Sequence, residues 1–230
     1  MKLSYRLERL SQCVPQCAAA ADIGSDHGLL PCRLLESGRI ERAVIADISA
    51  ASLQKAVKLL DVQGLAHRAD FRTGNGLDVL LPGEVQAIVI AGMGGLEIID
   101  ILRRGAAAAA DALLILQPMR SVRDLRLYLM SAGYAIRSDF VIKDGKKFYQ
   151  IITARMGEDA LILDEEHFGR TDIERGGAHY CAYLVAQAAK LQGLLKDVPE
   201  ENAAYTAHTQ LLELTKRQIQ SLKERGLWQI

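Results

Sequence analysis

The residues best suited to chemistry begin with Asp22-Ile23-Gly24-Ser25-Asp26-His27-Gly28, which directly follows an apolar run and opens a helical pattern. In α/β proteins a nucleotide-like ligand binds at such a strand-to-helix turn. We expect Gly24 to let the backbone pass close to a ligand and Asp22 to accept a hydrogen bond from an ammonium group. Gly28 would allow the new helix to pack closely.

The charges of this turn bear on which cofactor it can hold. A dinucleotide-binding fingerprint needs glycine where this chain has Asp26 and Leu29, and a carboxylate at Asp26 would repel a pyrophosphate. S-adenosylmethionine carries a sulfonium and a free amino group, which tolerate nearby carboxylates. Asp22 and Asp26 therefore favour that cofactor over NAD.

Two further segments could complete such a site. Asp47 closes the second apolar run 25 residues after Asp22, about where doubly wound folds place an acid that binds ribose hydroxyls. A cap on the helix beginning near residue 50 is the alternative role of Asp47, and the two are compatible. The segment Gly74-Asn75-Gly76-Leu77 could grip an adenine, or it could be a plain turn.

The segment Ala91-Gly92-Met93-Gly94-Gly95 has three glycines in four residues where the fourth strand ends and a helix starts. Such a bare backbone indicates close approach of a substrate to the cofactor. Tight packing of the helix start is the structural alternative.

The elements that must position these turns alternate along the chain. Apolar runs at 19–23, 43–47, 85–90 and 112–116 separate helical patterns at 28–37, 50–63, 94–104 and 121–132, which predicts a parallel doubly wound α/β sheet. Ser121 with Asp124 is typical of a helix N-cap. Alternating residues at 134–143 and 148–155 around Asp144-Gly145-Lys146 predict a terminal antiparallel hairpin. Helical patterns at 174–197 and 199–226 predict a helical hairpin, so that 1–158 and 159–230 form two domains.

The composition excludes disulfide-stabilised miniproteins, fibrous repeats and disordered chains. Half the residues are apolar and the net charge is zero, but residues 103–155 hold ten Lys and Arg against four Asp and Glu, which suits a phosphate backbone. A mixed solvated surface is the alternative. The four cysteines form no CxxC pair and have no His at zinc spacing, so we expect reduced thiols and no metal. Without a signal peptide or an apolar span, we expect a cytoplasmic protein that does not enter a membrane.

The motifs together resemble the bacterial tRNA (adenine(22)-N(1))-methyltransferase family, TrmK. The motifs that carry the resemblance are Leu3-Ser4-x-Arg6-Leu7, Asp22-Ile23-Gly24-Ser25-Asp26-His27-x-x-Leu30-Pro31, Gly74-x-Gly76-Leu77, Ala91-Gly92-Met93-Gly94-Gly95 and Leu116-Gln117-Pro118. It runs from residue 3 to about 155 and implies a class I methyltransferase (Rossmann-like) fold, S-adenosyl-L-methionine as methyl donor and tRNA as partner. We expect a monomer or weak dimer.

The resemblance also implies site residues. Those expected at the cofactor are Asp22, Gly24, Ser25, Asp26, His27, Asp47, Ile48, Gly74, Asn75, Gly76, Leu77, Ala91, Gly92 and Met93. Those expected at the substrate are Arg6, Arg9, Gly94, Gln117, Pro118, Arg120, Arg123 and Tyr149. Of the charged residues, Arg6 with Arg9, and Arg120 with Arg123 and Arg126, are each spaced to share a helix side and reach phosphates. Ordinary surface charge is the alternative.

The chemistry narrows the acceptor atom. The chain has no Asn/Asp-Pro-Pro-aromatic clamp, which usually accompanies methylation of an exocyclic adenine amine. A ring nitrogen such as N1 has an in-plane lone pair and needs only desolvation and alignment. Because N1 lies on the Watson–Crick edge, the adenine must be unpaired first. Asp26 is the candidate to orient the base or accept a proton from N6, and a role in cofactor binding alone is the alternative. We expect His27 to be a contact residue.

Two other functions remain open on the sequence. The same sheet would serve a methyltransferase acting on a protein or a small molecule. Alternatively, the chain could be a non-catalytic RNA-binding module that keeps the cofactor pocket.

Overall fold

The structure, a computed structural model, describes residues 3–158 and 177–230. Its strands are β1 (Cys17–Ile23), β2 (Ile40–Asp47), β3 (Ala69–Thr73), β4 (Ala87–Met93), β5 (Leu113–Pro118), β6 (Tyr134–Asp144) and β7 (Lys147–Met156). Its helices are α1 (Tyr5–Cys13), α2 (Leu29–Glu36), α3 (Ala50–Val62), α4 (Gly95–Arg104), α5 (Ala106–Ala109), α6 (Val122–Ser131), α7 (Gly177–Asp197) and α8 (Ala203–Glu224).

The seven strands form one sheet in the order β3-β2-β1-β4-β5-β7-β6. Strands β1 to β5 are parallel, whereas β7 runs antiparallel to both β5 and β6. This confirms the predicted doubly wound sheet with a terminal hairpin. The strand order reverses between β1 and β4, and the carboxyl ends of these two strands flank the crevice where such sheets bind ligands.

Both faces of the sheet are buried, which explains why the strands are continuous apolar runs. On β4, for example, Ile88 and Ile90 pack under α4 and α6, while Ala87 and Val89 point to the opposite layer with α1, α2 and α3. Because successive strand residues alternate between faces, an apolar residue at every position serves two cores at once.

Helices α7 and α8 pack antiparallel and dock on the hairpin. Tyr180, Leu184 and Leu222 form a separate cluster with Val141 of β6, and Trp228 packs against it. The side chain of Asn202 accepts a hydrogen bond from the Ala204 amide and caps α8, so this helix begins later than predicted. The predicted domain boundary between 158 and 159 lies at the edge of the described residues, and residues 159–176 lie outside them.

Helix α6 differs from prediction at its start. Ser121 has φ 54° and ψ 41°, in the left-handed region, and its side chain caps nothing. The amide of Gly95 donates to the carbonyl oxygen of Arg120 at 2.9 Å, which holds this connection against the start of α4. A tertiary contact therefore sets the backbone at Ser121, and the predicted side-chain cap is wrong.

Two further findings concern the described part of the chain. No helix in residues 3–158 or 177–230 is long and apolar enough to cross a membrane. All four cysteines lie in these ranges and all are free thiols, as predicted.

Candidate active site

The turn after β1 is shaped by glycines, as the sequence predicts. Gly24 and Gly28 have φ of +75° and +68°, which disfavours any residue with a side chain. A Cβ on Gly28 would lie 2.7 Å from the Cβ of Ala56, so the glycine lets α2 begin directly against α3. A Cβ on Gly24 would meet the end of the Met93 side chain at 2.1 Å. The predicted close packing at Gly28 is therefore confirmed.

The carboxyl ends of the strands enclose a crevice with two lobes that share Gly24. The first lobe, of about 290 Å³, is lined by Arg6, Leu7, Asp22, Gly24, Ser25, Asp26, His27, Gly28, Leu29, Leu30, Ala91 and Gly92. The second lobe, of about 200 Å³, is lined by Ile23, Gly24, Ala46, Asp47, Ile48, Gly74, Asn75, Gly76, Met93, Glu97 and Ile101. Most of the residues expected at a cofactor thus lie in one continuous region.

Asp22 is the buried charged group of the first lobe. Burial raises the pKa of its carboxyl to about 6; Ser25 lowers that pKa, the negative charge of Asp47 raises it, and Arg6 lowers it. The buried Ser25 hydroxyl lies near this carboxyl but makes no well-formed hydrogen bond within residues 3–158 and 177–230. The lobe therefore holds polar groups prepared for a ligand, above all for a cation.

Asp26 lines the first lobe at its exposed rim. Its carboxylate lies 2.7 Å from Nδ1 of His27 and 3.3 Å from both Lys55 Nζ and Ser52 Oγ, and its side chain is largely exposed. Slight burial raises the pKa of Asp26. The hydrogen bond from Lys55 and the positive charges of His27 and Lys55 lower it by more, so the pKa lies below its usual range. Asp26 is therefore ionised at neutral pH.

Asp47 is held by the turn that carries it, whereas the side chain of Asn75 is held by α4. The carboxylate of Asp47 accepts a hydrogen bond from the Ser49 amide at 2.8 Å, and the Gly74 amide donates to the Asp47 carbonyl at 3.1 Å. Ser49, not Asp47, caps α3, so the alternative role considered for Asp47 does not apply. The Asn75 side-chain oxygen accepts from Arg104 at 3.1 Å. Asp47 keeps acceptor capacity towards the second lobe.

The glycine turn after β4 divides into an open part and a filled part. At the open part, Gly92 has φ +81° and lies opposite Arg6, whose Nη1 would be 3.8 Å from a Cβ on this glycine. At the filled part, a Cβ on Gly95 would meet the Ser121 carbonyl oxygen at 2.4 Å, and Gly94 lies under the Arg120 side chain. Tight packing, the structural alternative, therefore holds at Gly95, while Gly92 borders the crevice and leaves the expected approach of a substrate as a prediction.

Arg6 joins the crevice to the terminal hairpin. Its Nη1 donates to Oε1 of the buried Gln117 at 2.7 Å, and its guanidinium lies over the Tyr149 ring at 5.4 Å. The Arg6 amide donates to Asp144 at 3.0 Å. These contacts bring together three residues expected at the substrate that are far apart in the sequence.

The other predicted arginines separate. Arg123 lies on the exposed side of α6. Arg9 packs over the Phe140 ring at 5.3 Å and lines a different cavity with Arg137, so it does not share the crevice with Arg6. Arg126 is 1% exposed and paired with Asp139 at 2.6 Å. The prediction that Arg126 reaches a phosphate is wrong, because this position faces the core side of α6.

Several further expected residues line neither lobe: Gly94, Gln117, Arg120, Leu77, Pro118 and Tyr149. Leu77 is buried in the core beneath Gly105, and Pro118 pairs with Met93 at the end of β5 without lining either lobe. Tyr149 lines a neighbouring cavity instead. Sequence reasoning missed Glu97 and Ile101, which line the second lobe from α4. Their positions in the first turns after Gly94-Gly95 were the available signal.

The groups present fit S-adenosyl-L-methionine. The first lobe offers a buried carboxylate and an incompletely bonded hydroxyl for an amino acid end, and the second offers Asp47 for a ribose and an apolar wall at Ile101 for an adenine. Gly24 and Gly92 leave the backbone bare between them. Residues 3–158 and 177–230 contain no cluster of His, Cys, Asp and Glu able to hold a metal.

Comparison with known proteins agrees with this geometry. Residues 3–152 match the family model of a methyltransferase domain. The chain is 34% identical to the tRNA (adenine(22)-N(1))-methyltransferase of Bacillus subtilis (strain 168) over 165 residues, which is 71% of this chain and 69% of that protein.

Solved structures are similar over nearly the whole chain. Streptococcus pneumoniae Sp1610 in complex with S-adenosyl-L-methionine superposes with a TM-score of 0.85 at 30% identity, covering 95% of this chain and 100% of that one. M. capricolum TrmK in complex with S-adenosyl-homocysteine gives a TM-score of 0.85 at 25% identity, covering 96% and 99%. The similarity therefore includes the helical pair as well as the sheet.

Proposed function

Because this chain belongs to the methyltransferase-domain family and to the tRNA (adenine(22)-N(1))-methyltransferases within it, we infer that it transfers a methyl group from S-adenosyl-L-methionine to N1 of adenosine 22 in tRNA. The observation that carries this function is the crevice between β1 and β4, where the carboxylates of Asp22 and Asp47 lie beside the bare backbone of Gly24 and Gly92. A family relative binds S-adenosyl-L-methionine and another binds its product.

We propose the following division of the site. Asp22 and Ser25 hold the amino acid end of the cofactor, Asp47 holds the ribose, and Asn75, Gly76 and Ile101 border the adenine. The other residues expected to contact the cofactor from the first lobe are His27 and Ala91; Ile48 and Met93 do so from the second. When bound, S-adenosyl-L-methionine supplies a methyl group on a positively charged sulfur.

The protein's own residues prepare the acceptor. N1 of adenine has an in-plane lone pair, so alignment and exclusion of water suffice for reaction. We propose that the target adenine enters over Gly92, beside Arg6 and Gln117, with Gly94 and the Arg120 side chain that covers it at the edge of the opening. The product adenine is cationic, and the ionised Asp26 at the rim stabilises that charge and accepts a hydrogen bond from N6. Its low pKa favours this electrostatic role over a lasting capture of the proton.

We propose that the RNA backbone is held by Arg6, Arg120 and Arg123 around this opening, because the segment from residue 103 to 155 carries an excess of positive charge. Reversing the charge of Arg123, as Arg123→Glu, is expected to weaken tRNA binding and to lower the slope of log affinity against log salt by about one. Binding measured from low to moderate salt with unchanged slope would remove Arg123 from the interface. A tRNA substrate also supports a cytoplasmic location for the protein. We expect a monomer or a weak dimer, and sedimentation of the protein with and without tRNA tests this oligomeric state.

The decisive assay uses an unmodified tRNA transcript, S-adenosyl-L-methionine and the full chain, followed by mass spectrometry of the nucleosides. We expect 1-methyladenosine, and none from a matched transcript in which adenosine 22 is replaced by guanosine. Methyl groups found only in another nucleoside, or in an added protein or small molecule, would favour a different acceptor. Cofactor binding without any transfer would favour the RNA-binding module.

A further inference from the structure

A second cavity, of about 550 Å³, lies between the tip of the β6–β7 hairpin and the helical pair. Its walls come from β7, α7, α8 and Met119, the residue after β5. We call this cavity the cleft. Its size is in the range that binds small molecules or one part of a larger ligand.

The cleft has an aromatic wall and a charged rim. The rings of Phe148 and Tyr183 meet edge to face with centroids 5.9 Å apart, and Tyr180 stacks behind Tyr183 at 6.4 Å. Lys147 and Lys190 are exposed at its edges. Aromatic rings with lysines around them suit a planar heterocycle attached to phosphates.

Two side chains that line the cleft have unused hydrogen-bonding capacity. Oε1 of Gln187 and Nδ1 of His208 are buried and have no hydrogen-bond partner in the described ranges 3–158 and 177–230, although Nε2 of Gln187 donates to Thr215 at 3.4 Å. Buried polar atoms are nearly always bonded in folded proteins, so unbonded ones indicate a missing partner. Rotation of the amide or the ring would present each group to a ligand in the cleft. An apolar helix from another protein would leave them unbonded.

The cleft adjoins the crevice through two shared contacts. Tyr149 lines the cleft, and its ring carries the guanidinium of Arg6, which lines the crevice. Met119 also lines the cleft, and its Sδ accepts a hydrogen bond at 3.3 Å from Nε2 of Gln117, whose Oε1 accepts the hydrogen bond from Arg6. The cleft therefore lies next to the crevice, within reach of a nucleic acid strand that enters the crevice.

We propose that the cleft binds one unstacked nucleobase of the tRNA other than the target adenine, with its phosphates at Lys147 and Lys190. This rests on the proposed function. The base lies against Phe148 and Tyr183, and Gln187 and His208 bond its polar edge. Holding a second base out of the stack stabilises the opened RNA from which the target adenine must be presented.

The test compares three cleft variants with a matched control from the same helix. Tyr183→Leu, Gln187→Leu and Lys190→Ala are each expected to raise KM for tRNA, the first by about tenfold because stacking on an aromatic ring is lost. Tyr183→Phe keeps the ring and is expected to behave like the wild type. Lys196→Ala, an exposed lysine of α7 that does not line the cleft, is the control. The kcat and the cofactor Kd should stay unchanged in every variant.

Ultraviolet crosslinking of the wild-type protein to tRNA, followed by peptide mass spectrometry, is expected to attach a nucleotide to a peptide containing Phe148 or Tyr183. The proposal is overturned if the wild type methylates tRNA while Gln187→Leu and Lys190→Ala keep its KM and no crosslink reaches these peptides; the methyltransferase function would then stand. If the variants change self-association instead of KM, the cleft is an interface between copies. If the wild type does not bind tRNA at all, the proposed function and this proposal fail together.

Discussion

The crevice is bordered by backbone, whereas the walls of the cleft are formed by side chains. In the crevice, the backbone is bare at Gly24 and Gly92, and the side chains that we propose to hold the cofactor are short carboxylates at strand ends. In the cleft, long side chains of Phe148, Tyr183 and Lys190 form the walls. Backbone at strand ends suits a cofactor that binds in one defined position. Aromatic rings and long charged side chains suit an RNA strand that must be unstacked. Arg6 contacts both.

The largest effect is expected from filling the glycine turn of the crevice. Gly95→Ala places a Cβ 2.4 Å from a backbone carbonyl oxygen that cannot move without shifting the start of α6. We expect the free energy of unfolding to fall by roughly 2–3 kcal/mol, together with loss of cofactor binding. Chemical denaturation and calorimetry measure the two quantities.

Gly94→Ala is the matched control for this change. Its Cβ would lie 3.1 Å from the Arg120 side chain, which is exposed and flexible. We expect a loss of under about 1 kcal/mol. Equal losses for the two variants would show that the close backbone packing at Gly95 does not hold the crevice.

Arg6 and Arg9 both lie on α1, but only Arg6 links the crevice to the cleft. Arg6→Met removes the hydrogen bond to the buried Gln117 and the contact with Tyr149. We expect kcat/KM for tRNA to fall about 30-fold, since a buried acceptor loses a charged donor. Arg9→Met, one turn later, leaves these contacts intact and should change kcat/KM less than about threefold. Steady-state kinetics on tRNA decides, and equal effects of the two variants would contradict the role of Arg6 as the link.

The pH dependence of cofactor affinity tests the buried carboxylate. The raised pKa of Asp22, about 6, means that the free site binds a proton below that pH. A cationic ligand needs the ionised form, so we expect Kd for S-adenosyl-L-methionine to weaken about tenfold from pH 7.5 to pH 5.0. Titration calorimetry across this range measures it.

Asp22→Asn is the control for this pH dependence. It should remove the dependence and bind the cofactor weakly at every pH. Above pH 6 the ionised Asp22 costs the free protein stability, because its folded pKa exceeds the unfolded value. The variant should therefore be more stable by roughly 1–2 kcal/mol at pH 7.5. A wild-type Kd that is flat between pH 5.0 and 7.5 would contradict the assignment.

Asp26→Asn is expected to have the smallest effect on the crevice. The exposed carboxylate contributes charge stabilisation at the rim, partly offset by Lys55. At saturating cofactor we expect kcat to fall about fivefold with little change in cofactor Kd. Lys55→Ala, which frees the same carboxylate, should not lower kcat. An unchanged kcat in Asp26→Asn would leave Asp26 with cofactor binding alone.

The same contrast explains what the sequence could predict. Turns that follow parallel strands lie at the same edge of the sheet. The order of the elements was therefore enough to place Asp22, Asp47 and the glycine segments together at that edge. Helical spacing shows which residues share a side but not which side is buried, so the ion pair of Arg126 with Asp139 could not be predicted. The left-handed Ser121 follows from a contact with Gly95, far away in the sequence.

The cleft was beyond prediction for a related reason. Phe148 and Tyr183 come from separate elements, and their contact depends on how the helical pair docks on the hairpin. A pattern of apolar residues on α7 indicates a buried face without naming its partner. Leu77 shows the opposite error: its motif places it next to the crevice, but its side chain turns into the core.

A crystal structure with bound S-adenosyl-homocysteine tests the central claim most directly. We predict ribose hydroxyls within hydrogen-bond distance of the Asp47 carboxylate, the amino group beside Asp22 and Ser25, and the sulfur facing the gap over Gly92. The account would be contradicted if density for S-adenosyl-homocysteine lay elsewhere. It would also be contradicted if side chains filled the space over Gly92 in the complex.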